Sequence, residues 1–387
     1  MPQKTEISSE KMKSLQVKLI FADSGRSADL LYASGFHAAD PFIYFETPDR
    51  KGILVSSLEY SRALQERRKD VEVLEYSRII PGDAVGSSRE PMLALAGYLG
   101  AESFLVPEDF PLSKARLLEA KGYKVSCASA GSFFPERERK TGSEVEKIRE
   151  SVRATEEAMG YLRSLLEEAK VNSKGVLELA SAPLTSEFLL RELEGNFKKM
   201  GYSATHTIIS HGSQTASPHN SGSGPILAGE CIVADLFPRN DATGYWGDMT
   251  RTFVKGKAPE IVRKAYKAVK DASREAFAML RPGVTGAAVH NRATEILRRA
   301  GFETGKDKEG LPCGFIHSLG HGVGLEIHEG PRLSPYNTFP LQSGNIVSVE
   351  PGLYYHAWGG VRLEDLALIT PDGVEDLNKM EMELEIP

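Results

Sequence analysis

The amino-acid sequence predicts an α+β protein in two parts. A smaller α/β domain spans residues 1–140, and a larger, internally repeated domain spans 141–387. Three observations lead there. The 387 residues exceed what a single hydrophobic core usually organises. The first third alternates strand-like and helix-like stretches. The remainder runs through two helices and then strands, twice over, with carboxylates at matching offsets from glycines. The composition, 41% hydrophobic and 26% charged, is that of an ordinary soluble globular chain.

In the first part, PFIYFETPDRKGILVS reads as two strands around a turn at Pro48–Gly52, and SKARLLEAKGYKVSCA as a helix, a stop at Gly122 and a strand. No GxGxxG or GxxxxGK[ST] loop accompanies them, so nothing points to a nucleotide. SFFPERERKTGSEVEKIRE marks the boundary. Pro135 and a charge run precede Ser143, whose spacing to Glu146 suits a capping box. Behind it Val145, Ile148, Val152, Met159, Leu162 and Leu166 recur at helical spacing and predict a long amphipathic helix to about Lys170.

The second part repeats weakly. Helical patterns at 143–170 and 185–200 lead into MGYS and strands; patterns at 259–280 and 286–299 lead into AGFE and strands again. In GECIVAD, Gly229 stands six residues before Asp235, and in GYWGD, Gly244 stands four before Asp248. In GNIVSVE, Gly344 stands six before Glu350, and in GVRLE, Gly360 stands four before Glu364. Thirteen residues separate the first two carboxylates and fourteen the second two. A single strand-end carboxylate is commonly solvated. Four, on strands whose Ile232, Val233, Ile346, Val347 and Val349 read as buried, must be paired or must coordinate a metal. Arg251 and Arg362 are too few to neutralise them, so metal is the better inference.

Charge and cysteine usage narrow the partners. A net charge of −6 speaks against nucleic acid or an anionic membrane as the main partner. Cys127, Cys231 and Cys313 are odd in number, far apart and outside any CxxC, which fits small buried hydrophobes in a reducing compartment. The polar N-terminus lacks the apolar stretch of a secretory signal, and no run of 18 apolar residues occurs. A cytoplasmic protein with no membrane span is expected.

Three of the nine histidines fall within HSLGHGVGLEIHEGP, residues 317–331. His317 and His321 are four apart, as in an HExxH zinc helix, but Gly320, Gly322 and Gly324 make a helix there unfavourable, and no Glu follows His317. The glycines indicate extended backbone passing close to something. His321 and His328 are seven apart, so they need not serve the same atom. Four carboxylates balance two divalent cations. Oxygen-rich ligation with one imidazole suits manganese, cobalt or iron better than a structural zinc. Two such ions lower the pKa of a shared water, which is hydrolytic chemistry.

HSLGHGVGLEIHEGP, VEPGLYY, GGVRLEDLALIT and GYWGDMTRTF together closely resemble the pita-bread metallopeptidases, specifically the prolidase/aminopeptidase P branch, over residues 141–387. The first 140 residues resemble, more loosely, that branch's creatinase-type N-terminal domain. The resemblance implies a pita-bread fold, in which helices cover a curved antiparallel sheet with a pseudo-twofold repeat. It also implies a homodimer and two divalent ions, manganese or cobalt before iron or zinc. By position it implies Asp235, Asp248, His321, Glu350 and Glu364 as metal ligands, with Glu350 also moving the proton. His317 and His328 match the histidines that hold the scissile carbonyl, and His219 and Arg362 match further residues on the substrate side. The implied activity is hydrolysis of Xaa-Pro bonds in proline-containing peptides by a metal-bridging hydroxide, as a dipeptidase or an aminopeptidase. The alternatives are a metal-free creatinase-like amidinohydrolase and a non-catalytic peptide-binding pita-bread module. Both usually lose the ligands, and all five ligand positions are filled here. One departure falls at the pocket rim. The family usually has DxG and sets its aspartates eleven positions apart, whereas this chain sets them thirteen apart and carries Phe237 in place of the glycine. A longer hairpin loop around Asp241 accommodates the difference, with Asp241 as a turn residue.

Overall fold

The computed structural model describes residues 15–80, 90–129 and 131–387. The polar N-terminal segment read above lies largely outside the described residues. The chain divides after Pro135 into two compact units.

The first unit is built on a six-stranded sheet. Its order is Glu72–Glu75, Lys51–Val55, Phe42–Glu46, Gln16–Ala22, Ser103–Val106 and Lys124–Cys127. The central pairs are antiparallel and the outer ones parallel. Because successive side chains point to opposite faces, Ile20, Phe42, Tyr44 and Ile53 pack on one side with Leu30, Phe36 and Phe134. Leu19, Ile43, Phe45 and Leu54 pack on the other with Leu95 and Phe104. A sheet covered on both faces is the α/β layering the sequence suggested.

The second unit opens with the helix Gly142–Glu168, and Val145, Ile148, Val152, Met159, Leu162 and Leu166 are all buried. Its capping box is formed by Thr141 and Glu144, two residues before the Ser143–Glu146 pair read from the sequence. TGSEVE contains both S/T-x-x-E frames. The earlier one is used, and Glu146 instead pairs with Arg149 on the surface. Helices Ser186–Lys199, Glu260–Met279 and Gly286–Arg299 follow. Among the described residues no helix is long and apolar enough to cross a membrane.

Two antiparallel ladders position the carboxylates. The first sheet has the order Ile208–His211, Ile232–Leu236, Met249–Lys255, Glu385–Ile386. The second has the order Glu329–Leu333, Gly320–Gly322, Ile346–Val349, Asp365–Thr370, Gly373–Asp376. They meet at a bridge between Thr250 and Glu364, with Glu364 N–H donating to Thr250 O at 3.0 Å. The buried Arg251 closes this seam, donating to both Thr250 O and Glu364 O and pairing with Asp365 at 2.7 Å.

The register alters the equivalence drawn from glycine offsets. In the first half Asp235 pairs with Thr250 and Leu236 with Met249, and the same register continues to Arg239 with Trp246. Phe237 therefore stands opposite Asp248. In the second half Val349 pairs with Asp365, and the register runs on to Gly352 with Arg362, so Glu350 stands opposite Glu364. Counting from the shared Asp248/Glu364 position, Phe237 occupies the place of Glu350 and Asp235 that of Ser348. The halves are offset by two residues at their first carboxylate.

Candidate metal centre

All nine residues singled out in the sequence line one cavity of about 480 Å³ in the second unit. A larger groove of about 620 Å³ in the first unit is lined by opposed charges that pair with each other, such as Arg50 with Glu72 and Lys51 with Asp70. It brings no comparable set of donors together.

Three donors converge most tightly. Atoms of Asp248, His321 and Glu364 all lie within 4.8 Å of one another, and all three residues are buried. His321 Nε2 is 3.8 Å from Asp248 Oδ2 and 3.1 Å from Glu350 Oε1. Asp235 joins through Thr250, whose Oγ1 is 2.9 Å from Asp235 Oδ1 and 2.7 Å from Glu364 Oε2. The glycines around His321 allow this approach. A Cβ on Gly320 would lie 1.9 Å from Ser348 O, and one on Gly322 would lie 2.2 Å from Gly330 O. Only bare backbone fits between these two neighbouring strands.

Electrostatics set the carboxylates apart. Burial first, then the charges of Glu364, Asp235 and Glu350, hold Asp248 well above the usual carboxylate range. Burial with Glu350 and Asp235 does the same to Glu364. Burial also pushes Glu350 upward, but the hydrogen bond and charge of His321, aided by His317 and Arg362, outweigh it and bring it down to about 2. Buried carboxylates brought this close repel one another. Divalent cations at the convergence point would remove the repulsion. The residues present thus fit divalent metal in donor type, proximity and charge.

The histidines have different surroundings. His317 Nδ1 lies 2.8 Å from Ser318 O, a carbonyl that can only accept, so that nitrogen carries a proton. Burial keeps the ring's pKa low, so in the neutral ring Nε2 accepts from Tyr354 Oη at 2.9 Å. Tyr354 in turn accepts from Arg362 Nη1 at 2.9 Å. Arg362, expected on the substrate side, is buried and gives its Nη2 to Asp235 Oδ2 at 2.7 Å. Both rings of this chain are committed to the protein. His328 stands with its ring against His321, centroids 4.3 Å apart, and burial followed by the His321 charge brings it down to about 4. His328 and His219 are exposed towards the cavity.

Sequence reasoning missed several residues. Tyr354 sits inside the quoted VEPGLYY, but nothing in a motif says where its hydroxyl points. Arg332, exposed at the cavity wall, has no ion pair among the described residues. Arg137 and Lys140, part of the charge run that marks the boundary, are buried on Glu329: Arg137 Nη2 is 2.8 Å from Oε2 and Lys140 Nζ 2.5 Å from Oε1. They grip the residue next to His328. Asp241 lies away from the cavity, bonded to Lys198 Nζ at 2.7 Å and Ser203 Oγ at 2.6 Å.

With this geometry in place, comparison with known proteins is informative. Residues 146–371 match the profile of metallopeptidase family M24. The chain belongs to that family. Over 182 residues it is 41% identical to the Xaa-Pro dipeptidase of Pyrococcus furiosus, covering 47% of this chain and 49% of that one. The alignments span about half the length of the curated relatives matched first. Among solved structures, the X-Pro aminopeptidase of Thermotoga maritima superposes with a TM-score of 0.79 at 25% identity, covering 96% of this chain and 97% of that one. The Pyrococcus furiosus prolidase gives 0.75 at 26% identity, over 94% and 96%. This M24 chain has the pita-bread fold.

Proposed function

We propose that this chain is a dinuclear metallopeptidase that hydrolyses Xaa-Pro bonds. The observation that carries the reading is the convergence of Asp248, His321 and Glu364 within 4.8 Å, with Glu350 and Asp235 adjoining, in a member of a metallopeptidase family. Asp235, Asp248, His321, Glu350 and Glu364 would hold two divalent ions, manganese or cobalt being the best match to an oxygen-rich set. Such ions supply Lewis acidity and a nucleophile from water at neutral pH.

The chain's own residues divide the remaining work. His328, exposed to the cavity, offers a ring N–H to the oxygen of the scissile carbonyl as charge develops there. His317 takes an orienting part, fixed by Tyr354 and Ser318, rather than that of a free donor. Glu350, the outermost of the carboxylates around His321, receives a proton and passes it to the departing proline nitrogen. Arg332, a cation at the cavity wall, receives the peptide's C-terminal carboxylate. A homodimer in the cytoplasm belongs to the same reading. It is tested by the mass in solution and by fractionation.

The deciding experiment is hydrolysis of an Xaa-Pro dipeptide beside an Xaa-Pro-Xaa tripeptide by protein reconstituted with manganese. Cleavage of either supports the reading and separates dipeptidase from aminopeptidase. Full activity in verified metal-free protein would instead favour the amidinohydrolase alternative.

A further inference from the structure

The place opposite Asp248, which mirrors that of Glu350 in the second half, is filled by an aromatic ring. Paired residues on neighbouring strands share a face, with Cβ atoms about 4.5–5.5 Å apart. Residues two apart on one strand share it as well. Ile208 pairs with Asp235, and Phe237 follows Asp235 by two, so Ile208, Asp235, Phe237 and Asp248 lie on one face. That face looks into the cavity, since all four line it. Pro238 follows Phe237 and holds its backbone extended, which keeps the alternation in step at this position. The result is an apolar patch on the first-half side, made of Ile208 and Phe237 around Asp235.

The direction in which a peptide lies follows from charge. Arg332 belongs to the strand Glu329–Leu333 of the second half and lines the cavity. It draws the C-terminal carboxylate, and with it the proline, to that side. The amino-terminal residue then lies on the other side of the scissile bond from Arg332, and the first-half lining offers it Asp235 and its apolar neighbours. We propose that Phe237 determines specificity by packing, with Ile208, against the side chain of the residue preceding the scissile bond, so that peptides with an apolar Xaa are selected. The assignment rests on the Xaa-Pro reading above and goes beyond it by naming a substrate class.

The test compares Leu-Pro with Gly-Pro in manganese-loaded wild type, Phe237→Gly and Phe237→Leu. The measured quantity is the ratio of the two kcat/KM values within each preparation. Because both substrates meet the same enzyme, a loss of folded or metal-loaded fraction cancels. A few methylenes in an apolar pocket separate substrates by roughly 10–200-fold. The wild type should therefore favour Leu-Pro by about tenfold or more. Phe237→Gly should lower that ratio by about tenfold, and Phe237→Leu should retain most of it. An unchanged ratio in Phe237→Gly overturns the assignment and leaves the activity standing. A ratio that rises, marking Phe237 as a steric stop, overturns it equally. If the wild type cleaves neither dipeptide, the dipeptidase form of the Xaa-Pro reading, on which this assignment rests, fails and takes the assignment with it.

Discussion

In the half of the second unit that runs to Lys255, the ladder of Ile232–Leu236 and Met249–Lys255 presents Asp235 and Asp248, with the ring of Phe237 at the position opposite Asp248. In the half that follows, the ladder of Ile346–Val349 and Asp365–Thr370 sets Glu350 directly opposite Glu364, and the flanking strand, glycine-rich here where the first half has Ile208–His211, adds His321 beside them. The backbones repeat, but the side chains do not. The first half supplies two carboxylates, one exposed histidine and an apolar wall. The second supplies two carboxylates, the imidazole of the convergence point, His328 and Arg332. A pseudo-twofold frame is well suited to holding two like charges near each other. Directional chemistry requires the symmetry to be broken, and here it is broken by a two-residue register offset and by the close-packed backbone at Gly320 and Gly322.

The largest expected effect treats the halves alike. Asp248→Asn and Glu364→Gln remove ladder-equivalent carboxylates, so both should lose bound metal. Activity should fall beyond the roughly 10–100-fold that outer partners of a metal site usually cost. Elemental analysis beside kinetics reads both quantities, and retention of full metal content in one variant alone would break the equivalence drawn from the register. Within the second half the two histidines should separate. His328→Ala should keep both metals and lose about 10²–10³ in kcat. His321→Ala should lose metal, partly recovered in excess manganese. If His328→Ala is the metal-depleted variant, the two roles are inverted.

Much of this site is legible in the sequence, because four strand-end carboxylates and a glycine-flanked histidine leave few other uses for such residues. The register was not legible. Glycine offsets equate Asp235 with Glu350, and only the cross-strand pairing shows that Phe237 holds that place. Nor was the direction of side chains beyond the ligands. Arg362 matches a substrate-side position by motif, yet it folds back onto Asp235 and Tyr354. The charge run before the long helix reads only as a boundary marker, since nothing local reveals that Arg137 and Lys140 meet Glu329 some 190 residues later.

That buried triad gives the next prediction, and it ties the segment opening the second unit to the second half. Glu329 precedes Gly330 and follows His328, and its carboxylate is held by two cations that are themselves buried. Removing one partner of a buried ion pair typically costs about 3–5 kcal/mol, because the remaining charges lose their compensation. Glu329→Gln should accordingly lower stability by an amount in this range, measured by denaturant unfolding at fixed metal content. A change below about 0.5 kcal/mol, the size typical of surface substitutions, would show that the triad does not fix the segment carrying His328.

The smallest effect is expected at Asp241, where the first half carries its longer hairpin. Asn240 organises the turn, its side-chain oxygen accepting from the N–H groups of Ala242 and Thr243 at 2.9 Å. Asp241 points outward to Lys198 and Ser203, and these partners lower its pKa against the opposing effect of burial. Exposed pairs of this kind contribute about 0–1 kcal/mol. Asp241→Asn keeps the hydrogen bond from Ser203 and removes the charge and the exposed contact with Lys198, so stability should change by less than about 0.5 kcal/mol. Metal content and turnover should stay as in the wild type. Asp235→Asn should behave differently, since it weakens a carboxylate bonded to both Thr250 and Arg362 at the cavity wall. Loss of metal on changing Asp241, with retention on changing Asp235, would mean that the strand entering the hairpin is shifted. The pairing of Phe237 with Asp248, and the contrast between the halves that depends on it, would then fail as well.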